Sequence, residues 1–549
     1  MNFKIIDWPT FIGALILLLG VTIPLVLFPE SGARVVDLAN AFMTSNFGVL
    51  YLIMGLAVLF FLIYVAFSEN GKIKLGDEHE QPEFNNFSWA GMIFCAGIGS
   101  SILYWATIEW AYYYQAPPFG IEPGTQAAIQ WSSTYGLFHW GPIAWAIYSL
   151  PALPMAYFYY VRKTPILKIS EATRPVIGKY ADTGVGNLID ILFMFGLIGG
   201  AATTLALGTP MIAYGFSNLF GFEVTLLLKT VVLLFTTVIF AVSAFAGLNK
   251  GIKVLSDINL WLSIFLVAFI FVFGPTRFLL ETTFSSFGLM LDNFFRMSTW
   301  TEPYGEMGPF AQTGFPETWT VFYWAWWLVY APFVGLFVAK ISRGRTIKQM
   351  VLGTIVYGST GSLLFFGALG NYGLHLQLTD QFDVIGVLNN SEPAKAIIDV
   401  VATLPLSFIM VLIFTVLSII FLATTFDSSS YILASVVQKS VEGEPLKWNR
   451  LFWAFALCLM PLVLMFLGGL KVLQTASIVG GFPLLFIMLL LAMSFMKAST
   501  MDIETAGEAE PKSIYVDYDK VKEKRKRRKW RKKKKKGPDE THVDNEKDD

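Results

Sequence analysis

In the segment Trp319-Thr-Val-Phe-Tyr-Trp-Ala-Trp-Trp-Leu-Val-Tyr330, the aromatic residues Tyr323, Trp324, Trp326, Trp327 and Tyr330 fall within eight residues of a strongly apolar run. Tyr330 follows Trp326 by four and Trp327 by three, so on a helix the three rings share a face. A face of indole and phenol rings attracts a quaternary ammonium or other onium cation through the ring quadrupole, at ~2 kcal/mol per desolvated contact. An interfacial belt or plain helix packing would use the same residues. A second aromatic group, Trp140, Trp145 and Tyr148, has the last two three residues apart and on one face. Two helices carrying these groups can present converging ring faces and hold a methylated ammonium without a buried carboxylate.

Oxygen chemistry comes from Phe421-Leu-Ala-Thr424-Thr425-Phe-Asp427 and from Cys95-Ala-Gly97-Ile98-Gly99-Ser-Ser101. The threonine hydroxyls are hard donors, and the glycines permit an unwound backbone whose carbonyls face them, which is how broken transporter helices hold sodium. The duller alternative has the hydroxyls bonding back to their own helix. Asp427 is an acid in an apolar run, hence a site candidate, unless it is solvated at a helix end.

Several function classes are excluded. Two cysteines, Cys95 and Cys458, are too few for a disulfide framework and lie in no metal-ligand pattern. The four histidines do not cluster. No nucleotide-binding loop is present, so an ATP-driven pump would need another subunit. No nucleophile–base pair or metal set marks an enzyme. No cofactor and no nucleic-acid partner are expected.

Composition sets the elements that must position these groups. Hydrophobic residues make up 55% of the chain and charged residues 15%, against ~25% charged in soluble proteins, and the mean hydropathy is +0.57. A span needs ~20 mostly apolar residues, and twelve such runs occur, near 10–28, 49–67, 89–110, 138–160, 187–214, 224–245, 258–276, 319–341, 350–370, 403–426, 451–468 and 473–496. The first is too long for a signal-peptide core and reads as a retained helix. Even-numbered loops carry sixteen Lys and Arg and odd-numbered ones six, so both termini are expected in the cytoplasm.

Gly/Pro interruptions recur in the third, fifth and eighth runs, the last at Ala331-Pro-Phe333-Val-Gly. Paired interruptions point to inverted repeats around a midplane site, although small residues also serve close helix packing. The organisation expected is residues 1–88, two peripheral helices and a cytoplasmic connection; 89–276, a first five-helix repeat; 277–318, an extracellular or periplasmic loop with an amphipathic helix; 319–497, a second five-helix repeat; and 498–549, a charged cytoplasmic tail, disordered or helical. The tail's segment 522–536 is almost wholly Lys and Arg and suits anionic lipid.

The stretch from Trp319 through Trp327 resembles the signature of the betaine/choline/carnitine transporter family. His139-Trp140 through Tyr148, the motif 247–256 and Ile341-Ser-Arg-Gly-Arg-Thr346 resemble the same family, in order over roughly residues 10–500. The resemblance implies an all-α membrane protein of 12 transmembrane helices, two inverted five-helix repeats (LeuT-like) preceded by two peripheral helices. It also implies onium substrates and a homotrimer in the cell (inner) membrane. Position by position, it makes Trp140, Trp145, Tyr148, Trp326, Trp327 and Tyr330 substrate residues, together with Gly97, Gly99 and Ser101. Many betaine carriers have Trp where Tyr330 stands. Thr424 and Thr425 match sodium-site hydroxyls, with carbonyls of Cys95, Ile98 and Phe421 as partners. Phe333, Thr203 and Thr204 are vaguer candidates for a second sodium.

The departure is at Gly97-Ile-Gly-Ser-Ser101. Betaine-type members resemble Gly-Met-Gly-Ile-Gly and choline-type members place Asp last, where this chain has Ser101. The choice among betaine, choline, carnitine and sulfonium analogues stays open. Sodium-independent exchangers of the family replace a sodium-site hydroxyl by Met and put Arg in the fifth span. This chain has both threonines and no such Arg. The expectation is sodium-coupled import, with substrate/product exchange as the alternative within the family and an osmosensor or receptor as the alternative outside transport.

Overall fold

The computed structural model describes residues 3–164, 168–246, 253–305, 307, 312–439, 444–467, 470–506 and 516–535. Residues 247–252 of the motif at 247–256, and the tail beyond Lys535, lie outside them. Among the described residues the chain is helical, with two isolated β-bridges and no sheet.

Helix α1 (Trp8–Leu27) opens with proline in its first turn and contains Pro24 near its end. Helix α2 (Pro29–Phe67) is 39 residues long, about 58 Å at 1.5 Å per residue, far more than a ~30 Å hydrocarbon core requires. Its first half carries Glu30, Arg34 and Asp37, which is why the apolar run begins only near residue 49. The third apolar run is two helices, α3 (Asn86–Ile98) and α4 (Ser101–Gln115). They part at Gly99, whose φ of 57° and ψ of −161° suit glycine alone.

Next come α5 (Gln126–His139) and α6 (Pro142–Ala156), separated at Trp140-Gly141, with proline pre-set for the first turn of α6. A π-turn, Tyr157–Val161, follows. The short α7 (Ile169–Ile177) leads to α8 (Gly184–Phe220), then α9 (Leu226–Ala246) and α10 (Lys253–Phe273). In the segment expected to carry an amphipathic helix stand α11 (Thr276–Asp292) and α12 (Phe294–Thr299).

The aromatic stripe lies on α13 (Phe322–Ile341), entered through a π-turn at Pro316–Val321. Helix α14 (Ile347–Phe365) starts with a reciprocal Thr346/Gln349 capping box. The short helices α15 (Asn371–Leu378), α16 (Val384–Asn390) and α17 (Pro393–Ala402) precede α18 (Ser407–Val436). The eleventh apolar run is also divided, into α19 (Lys447–Ala456) and α20 (Leu459–Leu467). Helix α21 (Leu470–Ala506) runs into the tail, where α22 (Tyr518–Lys535) is helical.

Nine described stretches are long and apolar enough to cross a membrane. The remaining apolar runs, at α3/α4, α6 and α19/α20, fall short through their breaks and prolines. Burial ranks the spans. The most apolar window of the α13 span is 94% buried inside the protein and that of α8 78%, against 28% for α1. Helix α13 therefore sits at the centre, packed along α6, α8 and α21, and α1 lies at the edge.

Polar ties hold one set of helix ends together. The connection 68–88 clasps the α13–α14 turn through a Lys74–Thr346 bridge, the Arg343–Glu80 ion pair and Arg345. The Arg345 guanidinium donates to Asn86 Oδ1 at 2.9 Å and Phe84 O at 2.8 Å, and lies 3.8 Å above the Trp89 ring. At the end of α6, Arg162 pairs with Asp502 of α21 at 2.8 Å and stacks on Tyr518 of the tail at 5.4 Å.

Candidate binding site

The break at Gly99 and the stripe on α13 face each other across one small cavity. From the break come Gly97, Gly99 and Ser101; from α6, Tyr148; from α13, Trp326, Trp327 and Tyr330; and from α8 and α18, Thr204 and Thr425. None of these side chains carries a charge. The space measures about 10 Å³ for the centre of a water-sized sphere, room for about one water. An onium head group is larger, so the walls must part to admit one.

The rings interlock. Trp326 and Trp327 stack at 5.2 Å, Tyr148 meets Trp327 edge-on at 5.4 Å, and Trp140 meets Trp327 edge-on at 4.7 Å. Trp140 and Trp145 stand one layer behind the cavity. Trp145 packs edge-on to Tyr148 at 5.7 Å, and its Nε1–H donates to Ser362 Oγ at 3.3 Å. The close approach depends on Gly97, because a Cβ there would lie 2.7 Å from two carbons of the Trp145 ring and 3.3 Å from Tyr148.

Hydroxyls line the same cavity. Ser101 Oγ donates to Thr204 Oγ1 at 3.2 Å, and Thr204 Oγ1 is 2.6 Å from the Tyr330 hydroxyl. Thr204 thus belongs to the same cavity as the aromatic residues. Its neighbour Thr203 turns away, donating to Gly199 O at 3.1 Å, and Phe333 reaches the group only through Tyr330, with ring centroids 6.2 Å apart.

On α18, Thr424 Oγ1 donates to Ile420 O and Phe421 O, each at 3.0 Å, and Thr425 Oγ1 to Phe421 O at 2.9 Å. Both hydroxyls bond back to their own helix in this conformation. Thr425 nevertheless abuts the break, with its Oγ1 2.7 Å from where a Gly99 Cβ would stand. Cys95 lies two residues before Gly97, its thiol 4.0 Å from Ser256 O. Hydroxyls turning from their helix toward the α3 carbonyls would give an oxygen set of the kind sodium takes.

Asp427 is neither solvated nor in the cavity. It is fully buried, accepts from Ser243 Oγ at 2.6 Å, and pairs with Arg450 at 3.2 Å. The deeper surprise is Glu109 on α4, also fully buried. Its carboxylate accepts from Tyr113 (2.6 Å), Tyr323 (2.5 Å) and Trp140 Nε1 (3.0 Å). Sequence reasoning applied the rule for intramembrane acids to Asp427 and passed over Ile108-Glu109-Trp110, where the same signal stands.

Comparison with known proteins agrees with the residues. Residues 9–504 match the family described as BCCT, betaine/carnitine/choline family transporter. The chain is 37% identical over 482 residues to the glycine betaine transporter of Acinetobacter baylyi, covering 87% of this chain and 71% of that one. It is 36% identical to a probable glycine betaine transporter of Desulfitobacterium hafniense (87% and 94%) and 34% identical to a carnitine transporter of Acinetobacter baumannii (86% and 85%). An overlap with a solved sodium-coupled sialic acid symporter, TM-score 0.43 at 13% identity over 83% of this chain and 86% of that one, is too loose to carry an argument. With its apolar helices, its aromatic stripe and a match over nearly all its length, this multi-pass membrane protein belongs to the betaine/carnitine/choline family of transporters rather than to any class of enzyme.

Proposed function

We propose that this protein imports a small quaternary ammonium or sulfonium compound, driven by a sodium gradient. The observation that carries the reading is the cavity itself, where the rings of Tyr148, Trp326, Trp327 and Tyr330 meet the glycine break and a linked set of hydroxyls. Ring faces suit an onium head group, and the Ser101–Thr204–Tyr330 hydroxyls suit a polar substituent on the same molecule. Thr425 and the break at Gly99 supply the oxygen-rich corner for the coupling ion.

The same reading holds two inverted five-helix repeats, α3–α10 and α13–α21, behind the peripheral α1 and α2, with both termini in the cytoplasm of a cell whose inner membrane holds the protein as a homotrimer. The deciding experiment is uptake of labelled betaine, choline, carnitine and dimethylsulfoniopropionate into vesicles with and without an inward sodium gradient. Sodium-driven accumulation of one of the four is expected. Uptake of an onium compound indifferent to sodium, but stimulated by internal substrate, would replace symport by exchange. No uptake of any of them would remove the reading.

A further inference from the structure

All the contacts of the Glu109 carboxylate are donors. Tyr113 and Tyr323 give O–H and Trp140 gives N–H, the surroundings of an ionised, acceptor-only carboxylate. Tyr113 has one proton, and it points at Glu109 Oε1. The 2.9 Å contact between Tyr113 Oη and His139 Nδ1 therefore has the histidine as donor. The other ring nitrogen, Nε2, lies 3.1 Å from Thr320 Oγ1, a hydroxyl able to donate to it, so a neutral imidazole satisfies the whole chain. Among the described residues, no Lys or Arg lies within 4.0 Å of Glu109, and His139 is its only ion-pair neighbour, at 3.8 Å.

This anion is built into the aromatic wall. Trp140, which donates to it, stands edge-on to Trp327, and Tyr323, which also donates to it, stacks on Trp327 at 5.8 Å. Trp327 in turn donates its indole N–H to the His139 carbonyl at 2.9 Å. A buried carboxylate without a fixed counter-cation is costly, and the neighbouring cavity offers it no charge of its own.

We infer that Glu109 is the counter-charge for the cationic head of the cargo, acting across Trp140 and Tyr323 to select a cationic onium head over an uncharged carbon head of the same shape, and holding those rings in place. The inference rests on the function proposed above. It makes Glu109 a positioning and charge-selecting residue that does not touch the substrate.

The test uses matched pairs differing only by nitrogen against carbon: betaine with 3,3-dimethylbutanoate, and choline with 3,3-dimethylbutanol. Binding to the purified full chain in lipid nanodiscs is read by tryptophan fluorescence. The wild type should prefer the onium member of the pair it binds. Glu109→Gln should cut that preference about tenfold, the order expected of one charge acting through an intervening ring at an effective dielectric constant of ~20. Tyr323→Phe keeps the carboxylate and removes one donor, so it should weaken both members while retaining the preference. A preference that survives Glu109→Gln, with both affinities falling together, makes Glu109 a scaffold and overturns the inference alone. If Glu109→Gln does not fold, loss of the preference in Tyr323→Phe overturns it instead. A wild type indifferent to the onium charge removes both the inference and the function beneath it.

Discussion

Gly99→Ala perturbs the break in two separable ways. At φ 57° and ψ −161° the backbone lies where essentially only glycine is found, costing a side-chain-bearing residue roughly 1–3 kcal/mol. The new methyl carbon would also lie 2.7 Å from Thr425 Oγ1, its next neighbours being 3.7 Å away or more, and such overpacking costs roughly 1–3 kcal/mol. Together the single substitution should destabilise the protein by roughly 2–6 kcal/mol. Only the second share depends on Thr425. In a double-mutant cycle, Thr425→Ala should return about 1–3 kcal/mol of the loss. Its own cost is about 1 kcal/mol, for the hydroxyl's bond to Phe421 O. Unfolding in mild detergent measures all four corners, and vesicle uptake should fall at least tenfold in the single mutant. If Gly99→Ala unfolds within ~0.5 kcal/mol of wild type, α3 and α4 do not need glycine between them. If the coupling with Thr425 is nil, α18 does not press on the break.

Other expectations follow from the same geometry. Trp327→Leu keeps apolarity but removes a ring that touches the cavity and donates to His139 O, so uptake should be abolished while membrane insertion is retained; wild-type affinity would sink the aromatic assignment. Thr424→Ala with Thr425→Ala should lower sodium affinity strongly and substrate affinity with it, because coupling is reciprocal; unchanged sodium dependence of uptake would refute the ion site. For the tail, a cut after Ala506 preserves the Arg162–Asp502 pair that a cut after Lys497 would destroy. If the basic segment senses salt by leaving an anionic leaflet as screening rises, the shortened carrier should lose its response to external osmolality, and an unchanged response would show that the tail is not a sensor.

The aromatic helix was legible from five large aromatic residues in eight positions, and the 3- and 4-residue spacings told which of them share a face, although a belt or plain packing would use the same residues. The glycine cluster at 97–99 announced an interruption, but apolarity alone joined α3 to α4 into one span, since hydropathy does not register a single residue at positive φ. The division at Leu457–Cys458 was hidden because both residues are apolar and Leu457 keeps a right-handed backbone, φ −59°. Thr203 and Thr204 could not be ranked without knowing which side of α8 faces α13. Glu109 stands out locally only as an acid in an apolar run; its partners come from α4, the α5–α6 break and α13, and separations of 31 and 214 residues left the cluster itself unreadable.

The clasp around Arg345 also has a calendar. Its acceptors, Phe84 and Asn86, precede it by 261 and 259 residues. At about 5–20 residues per second of synthesis, the 68–88 connection waits roughly ten to fifty seconds for its partner. During that interval the hydrogen-bonding groups of the connection and the indole of Trp89 must be satisfied by water, by lipid head groups or by an assembly factor. The 68–88 connection is thus joined to the α13–α14 turn late, by the later part of the chain reaching back. A chain stalled before residue 345 should present the connection to an added protease that the finished protein resists.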